Sequence, residues 1–365
     1  MIKSAMTTTL LLCLASNAKA GPDGAFLCDS QAPYDFLTAD IHGYQRFGIF
    51  RSGKPLADSQ AGALVAGQGV KANSAEGLIL VPTEAAGKGQ IELRKGGKLL
   101  KRIPGWLNEW AGWRSGEQEK FMFVVWNGDP DAPLTLKTWK TRYVVDGNGH
   151  VLVEQHYEGF TDSENGDPLL SFSADGRALF ELANEDQPTR SKKIFDANDL
   201  LQVGEVVGPE HPPITQLQML SSDDGYAIAG HRLHRIRNGR LEDTGLPPSF
   251  KAQTISMDNR SNRILVEGEG DFVVMDMAGH LLFRHGASVA PGTAGPQWMR
   301  AKLAIDGSVA FVRDAASLVA VRTRKSGYAE ERMVPLDADD WTRLACLTPR
   351  SAALMIDDKP VLVKF

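Results

Sequence analysis

From residue 45 onward, apolar residues come in short blocks broken by turn residues, and the 3.6-residue period of a surface helix is nearly absent. One recurring unit is an apolar strand, a Gly/Asn/Asp turn and a second strand. It appears in IELRKGGKLLKRI (91–103), YVVDGNGHVLVEQ (143–155), LHRIRNGRLEDT (233–244) and FVVMDMAGHLLFRH (272–285). KIFDANDLLQV (193–203) and LVAVRTRKSGYAEERMV (318–334) are weaker versions. Glycine, asparagine and aspartate belong at these points because tight hairpin turns need positive φ. A second turn type alternates with the first, as in SAEGLILV (74–81), SGEQEKFMFVV (115–125), SADGRALFEL (173–182) and SDDGYAIAG (222–230). It recurs in DNRSNRILVE (258–267), DGSVAFVRD (306–314) and TPRSAALMID (348–357). Each is followed by an unbroken apolar run, the pattern of a strand buried on both faces.

Turns of the first type are centred near residues 96, 147, 197, 238, 278 and 326. A period of about 40–50 residues with four strands per unit predicts an all-β fold, a β-propeller of four-stranded antiparallel blades. The blades are expected near 62–104, 105–157, 168–207, 214–245, 250–286 and 297–335. The last stretch, WTRLACLTPRSAALMIDDKPVLVKF, offers only three strands, and YQRFGIFRSGKPL (44–56) is the candidate for the fourth. The expectation is a seven-bladed ring closed by N- and C-terminal strands, with six or eight blades left open by residues 44–75. Such closure resembles that of WD40-like and TolB-like propellers. The resemblance is architectural: no Gly-His…Trp-Asp signature is present, so no family function comes with it.

The N-terminus changes the picture of where the protein works. Lys3, the apolar run from Thr9 to Ser16 and the Ala18-Lys19-Ala20 triplet have the order of a secretion signal. The domain reading is a signal peptide at 1–20, an N-terminal segment at 21–43 and one propeller at 44–365. A periplasmic or secreted location is expected, and no later run is long enough to span a bilayer. Cleavage would leave Cys28 and Cys346, which an oxidising compartment could bridge or leave as two buried thiols. A net charge of −5 gives no basic field for nucleic acid.

The long segments 127–137, 158–168, 184–192, 208–215 and 286–297 fall at second-to-third-strand and blade-to-blade connections, at one end of the blades. Function tends to sit on loops held by a rigid scaffold. The tryptophans are all assigned to that elaborated end: Trp106, Trp110, Trp113, Trp126 and Trp139, with Trp298 and Trp341 later. The i, i+4, i+7 spacing of Trp106, Trp110 and Trp113 would line three rings along a short helix. Two uses are open, rings wedged between blades and rings lining a partner-binding surface.

Candidate chemistry is sparse. His231 and His234 lie three apart, on opposite faces of a strand. DSENGD (162–167) lacks calcium-loop spacing. No Gly-x-Ser-x-Gly or His-Glu-x-x-His occurs, and neither metal nor cofactor is expected. Glu109, Asp129, Asp131, Glu158 and Asp162 are acidic candidates on the elaborated end. The leading expectation is a non-enzymatic monomer that binds a protein or another envelope macromolecule through this end, as scaffold, assembly factor or toxin neutraliser. The alternative is a glycan-acting hydrolase or lyase using paired acids at the channel mouth.

Overall fold

The computed structural model describes residues 28–29, 34–41, 44–51, 54–55, 71–72, 78–85, 88–95, 98–128, 137–160, 169–182, 191–209, 212–258, 261–268, 271–286, 301–304, 307–313, 317–324, 327–335, 343–347, 351–356 and 359–364. Among them the secondary structure is β throughout, in antiparallel meanders of consecutive strands. No helix of the described residues is long and apolar enough to cross a membrane.

Six four-stranded sheets follow one another from residue 71 to residue 335. Strands β5 to β8 cover Lys71–Ala72, Leu78–Ala85, Lys88–Lys95 and Lys98–Pro104. Strands β9 to β12 cover Trp106–Ser115, Gln118–Trp126, Lys137–Asp146 and Val151–Phe160. The next sheet holds β13 to β16 (Leu170–Phe172, Ala178–Glu181, Ser191–Asp196, Gln202–Val207). Then come β17 to β20 (Ile214–Met219, Asp224–Ala229, Arg232–Arg237, Arg240–Asp243) and β21 to β24 (Ala252–Asp258, Arg263–Gly268, Asp271–Asp276, Leu281–Gly286). Strands β25 to β28 are Ala301–Leu303, Val309–Arg313, Ser317–Arg324 and Gly327–Pro335. A three-stranded sheet of β29 to β31 (Arg343–Leu347, Ser351–Ile356, Lys359–Lys364) ends the chain. The repeat expected from turn spacing is therefore present, with the described turns of both types where the pattern put them.

The N-terminal region departs from expectation. Strands β1 to β4 (Cys28–Asp29, Tyr34–Ile41, Tyr44–Arg51, Lys54–Pro55) make a further four-stranded sheet. Tyr44–Arg51, expected beside the last strands of the chain, instead pairs along its whole length with Tyr34–Ile41. The eight-residue YDFLTADI run is a strand partner only two residues away in sequence, so the local pairing forms at little loop-closure cost. Cys28 lies in β1 and Cys346 in β29, but their side chains fall outside the described residues.

Among the described residues, five apolar cores lie between consecutive sheets. Leu78, Leu80, Ile91 and Leu93 meet Phe121, Phe123 and Val125, while Met122 and Val124 face Leu170, Phe172 and Leu179. The series continues with Ala178 and Phe180 on Leu217 and Ala227, then Tyr226 and Ile228 on Ile255 and Ile264, and Leu265 and Val274 on Val309 and Phe311. Because each of the four sheets from β9 to β24 feeds two cores, its second strand is apolar on both faces: Phe121 to Trp126 are all buried.

Hydrogen bonds link neighbouring sheets near the tight-turn end. Lys95 Nζ donates to the Gly147 carbonyl at 2.8 Å, and the Leu78 N–H to Glu119 Oε2 at 2.9 Å. Lys120 Nζ reaches the Gly176 carbonyl at 2.9 Å. The Ala174 and Asp175 N–H groups donate to Met219 and Leu220 carbonyls at 2.8 and 3.1 Å. Arg235 reaches the Met277 carbonyl at 2.7 Å, and Arg263 the Tyr328 hydroxyl at 3.2 Å.

The turns themselves repeat one chemistry. In Asp146–His150 and Asp276–His280 the aspartate Oδ1 accepts the N–H four residues on at 2.9 Å, and the histidine Nδ1 meets Oδ2 at 3.1 and 2.8 Å. Gly149 and Gly279 sit at φ of 81° and 97°, which only glycine adopts easily. Partial burial works to raise both aspartates, but the hydrogen bonds and the facing imidazole outweigh it and hold them below their ordinary values. A depressed carboxylate stabilises the fold above its unfolded pKa and loses that contribution as pH falls through the folded one.

Two outcomes follow. Phe121→Ala should lower the unfolding free energy by about 3–5 kcal/mol, read from urea midpoints, since it empties a site between two sheets. The Asp146→Asn/Asp276→Asn double variant should flatten the acid side of the stability profile below about pH 4, measured by urea unfolding across that range.

Candidate functional site

The β9–β12 sheet has the longest strands of the described blades, and it carries every tryptophan whose placement is described. Trp106–Ser115 is a strand, not the short helix its tryptophan spacing predicts. Its bonds go to β10, with a register shift at Val124/Val125 that leaves Asn108 without an opposite number. Aromatic residues favour such a half-buried pleat, and ladder pairing outweighs the helical spacing.

The strand therefore distributes its rings. Trp113 sits beside the tight turn, opposite Lys120, at the other end from that expected. It is 8 % exposed, its Nε1 donates to the Ala174 carbonyl at 2.8 Å, and its ring lies against Gly176. A Cβ at Gly176 would stand 2.3 Å from that ring, and φ there is 67°, so glycine is required twice over. Trp110 lies mid-strand and stacks on Phe121 at 6.3 Å. Trp106 and Trp126 are paired across β9 and β10 at the loop-rich end, where Trp106 packs on Gly89 and Trp126 on Gly128. Trp139 is 72 % exposed. Trp298 and Trp341 lie outside the described residues.

The acidic candidates separate. Glu109 is buried in β9, in register with Val124 and Arg142. Glu158 is exposed on β12, opposite Trp139. Strand alternation puts these two carboxylates on opposite faces, so they form no pair. Asp129, Asp131 and Asp162 lie outside the described residues.

Two rows of side chains build the site. Toward β13–β16, Lys140 is 1 % exposed and donates to Asn108 Oδ1 at 2.7 Å. Arg142, also buried, holds its guanidinium 4.7 Å from the centre of the Tyr157 ring, a cation–π contact. On the other face, cross-strand pairs run inward from solvent: Trp139 with Glu158, Thr141 with His156, Tyr143 with Glu154. Thr141 Oγ1 lies 2.9 Å from His156 Nδ1, and the Tyr143 hydroxyl donates to Glu154 Oε1 at 3.3 Å. Burial, reinforced by Glu154, pushes the Tyr143 phenol up to about 12, so it stays a donor at neutral pH. Phe123 stacks on Tyr143 at 5.3 Å and anchors this row in the core. The row ends outward in a flat indole with a carboxylate beside it. Among the described residues no group of three His, Cys, Asp or Glu could hold a metal ion.

No protein-family model matches the chain, and no curated protein matches it in sequence. Solved structures do match in fold. Sqt1 of Saccharomyces cerevisiae is 11 % identical, with 93 % of this chain and 95 % of that one covered and a TM-score of 0.52. A prolyl endopeptidase gives 11 % identity and a TM-score of 0.54, with 93 % of this chain but only 54 % of that one covered. The WD40 β-propeller domain of Doa1 is 12 % identical, with 81 % and 92 % covered and a TM-score of 0.41. The matched structures are WD40 and other β-propeller proteins, and at these identities the likeness is one of fold.

The burial of Lys140 and Arg142 escaped the sequence reading. Its signal was present in KTWKTRYVV: both cations share the parity of the buried Val144. The rings should differ sharply in weight. Trp113→Ala should cost about 3–5 kcal/mol of stability by opening a hole between sheets. Trp139→Ala should change it by under about 0.5 kcal/mol, both read by chemical denaturation.

Proposed function

We propose that this protein is an exported, non-enzymatic β-propeller whose loop-rich end at the β9–β12 sheet binds a protein or another macromolecule of the envelope. The carrying observation is Trp139, a large apolar ring 72 % exposed on a rigid strand. Water contact on an indole is costly, and tryptophan is the residue most enriched where binding energy concentrates. Glu109 and Glu158, on opposite faces, do not supply the adjacent acids a glycan hydrolase needs. Fold likeness to propeller proteins supports an interaction scaffold. The signal-like N-terminus supports a periplasmic or secreted site of action, with the first twenty residues removed.

The proposal includes ring closure. Seven sheets run from Lys71 to Lys364, and the β1–β4 sheet precedes them. The ring closes between the three-stranded C-terminal sheet and the N-terminal part of the chain, because an open stack would leave apolar faces in water.

The test is capture. The immobilised mature protein should retain its partner from a native envelope extract, and Trp139→Ala should abolish retention while leaving the thermal midpoint unchanged. Undiminished retention by Trp139→Ala would remove this end of the molecule from the binding role.

A further inference from the structure

Strand β12 differs from the other outermost strands. A sheet's last strand has a row of backbone N–H and C=O groups with no ladder partner, a template for a further strand. Proteins blunt such edges by keeping them short or by adding lysine, arginine or proline. The other edges show these devices. β8 carries Lys98, Lys101, Arg102 and Pro104; β28 carries Arg332 and Pro335; β16, β20 and β24 have only four to six residues each. β12 runs for ten residues, VLVEQHYEGF, without lysine, arginine or proline, and among the described residues its outer edge pairs with no strand.

Its two faces carry different chemistry. Glu154, His156 and Glu158 alternate on the face that bears Trp139, all of them exposed. Val153, Gln155 and Tyr157 alternate on the other and are half-buried. A strand laid beside β12 would place alternate residues against Glu154, His156 and Glu158, with the indole of Trp139 one strand further in, and the residues between them against Val153, Gln155 and Tyr157.

We propose that β12 receives an added β-strand from a partner protein, an extended segment in which lysine or arginine alternates with apolar residues. Main-chain bonds supply affinity. Glu154 and Glu158 select the basic positions, and the ring of Trp139 lies within reach of a long basic side chain. The proposal rests on the binding role above and names its mode and partner chemistry.

A synthetic ten-residue peptide of alternating lysine and valine tests it on the full mature chain. Fluorescence anisotropy should show saturable binding, and hydrogen exchange should show protection gained by the amides of Val151–Phe160. The same peptide N-methylated at every residue has no N–H to donate and cannot make the ladder, so it should not bind, an outcome independent of how any variant folds. Glu154→Lys/Glu158→Lys should weaken the unmodified peptide at least tenfold. Equal binding by the N-methylated peptide, protection confined to other strands, or no binding at all would overturn strand addition. If capture of the envelope partner still depends on Trp139 in that case, the binding role stands and only its mode is wrong. If Trp139→Ala leaves capture intact while the peptide adds to β12, it is the indole's role that fails.

Discussion

A twisted four-stranded sheet with apolar side chains on both faces cannot exist alone in water. Met122 and Phe123, adjacent in β10, point into two different cores and are both fully buried. Each sheet is folded because its neighbours are, and the five described cores are shared property of the sheets that flank them. That mutual dependence dictates the rest: short turns on one side, room for long connections on the other, and hydrogen bonds between neighbouring sheets at both ends, as from the Ala252 N–H to the His231 carbonyl. It also explains why charged residues such as Glu119 and Lys120 act at the seams, where each reaches an adjacent sheet.

Most of this was legible because the information is local. The Asp-x-x-Gly-His turns declare themselves through residue chemistry, and an apolar run such as FMFVV needs two covered faces wherever it occurs. What stayed hidden was non-local. The spacing of Trp106, Trp110 and Trp113 fits a helix as well as a strand, and only pairing with β10 and the irregularity at Asn108 decide between them. The same ambiguity puts Trp113 at the wrong end. Its proper place depends on Gly176, sixty-three residues later, whose missing Cβ makes room for the ring.

The candidate site was half visible. Trp139 and Glu158 are recognisable as residue types, but their position opposite each other follows from the β11–β12 register, which no short motif records. Lys140 and Arg142 read as surface charges by residue type. Burial of such groups is tolerable when the amide of Asn108 and the ring of Tyr157 replace lost hydration. The exposed indole thus stands on a sheet whose opposite face is pinned by polar contacts as well as apolar ones.

The seam hydrogen bonds near the tight turns have a further consequence for how this molecule can change. They involve Lys95, Lys120, Ala174 and Arg235, all outside the long segments 127–137 and 158–168. None of these bonds is made by the connection between Trp126 and Lys137, so a change of length or sequence there leaves them in place. The scaffold is in this sense a socket: foreign recognition sequences could be spliced between Trp126 and Lys137, and a new specificity acquired while the stitching on the far side stays as it is.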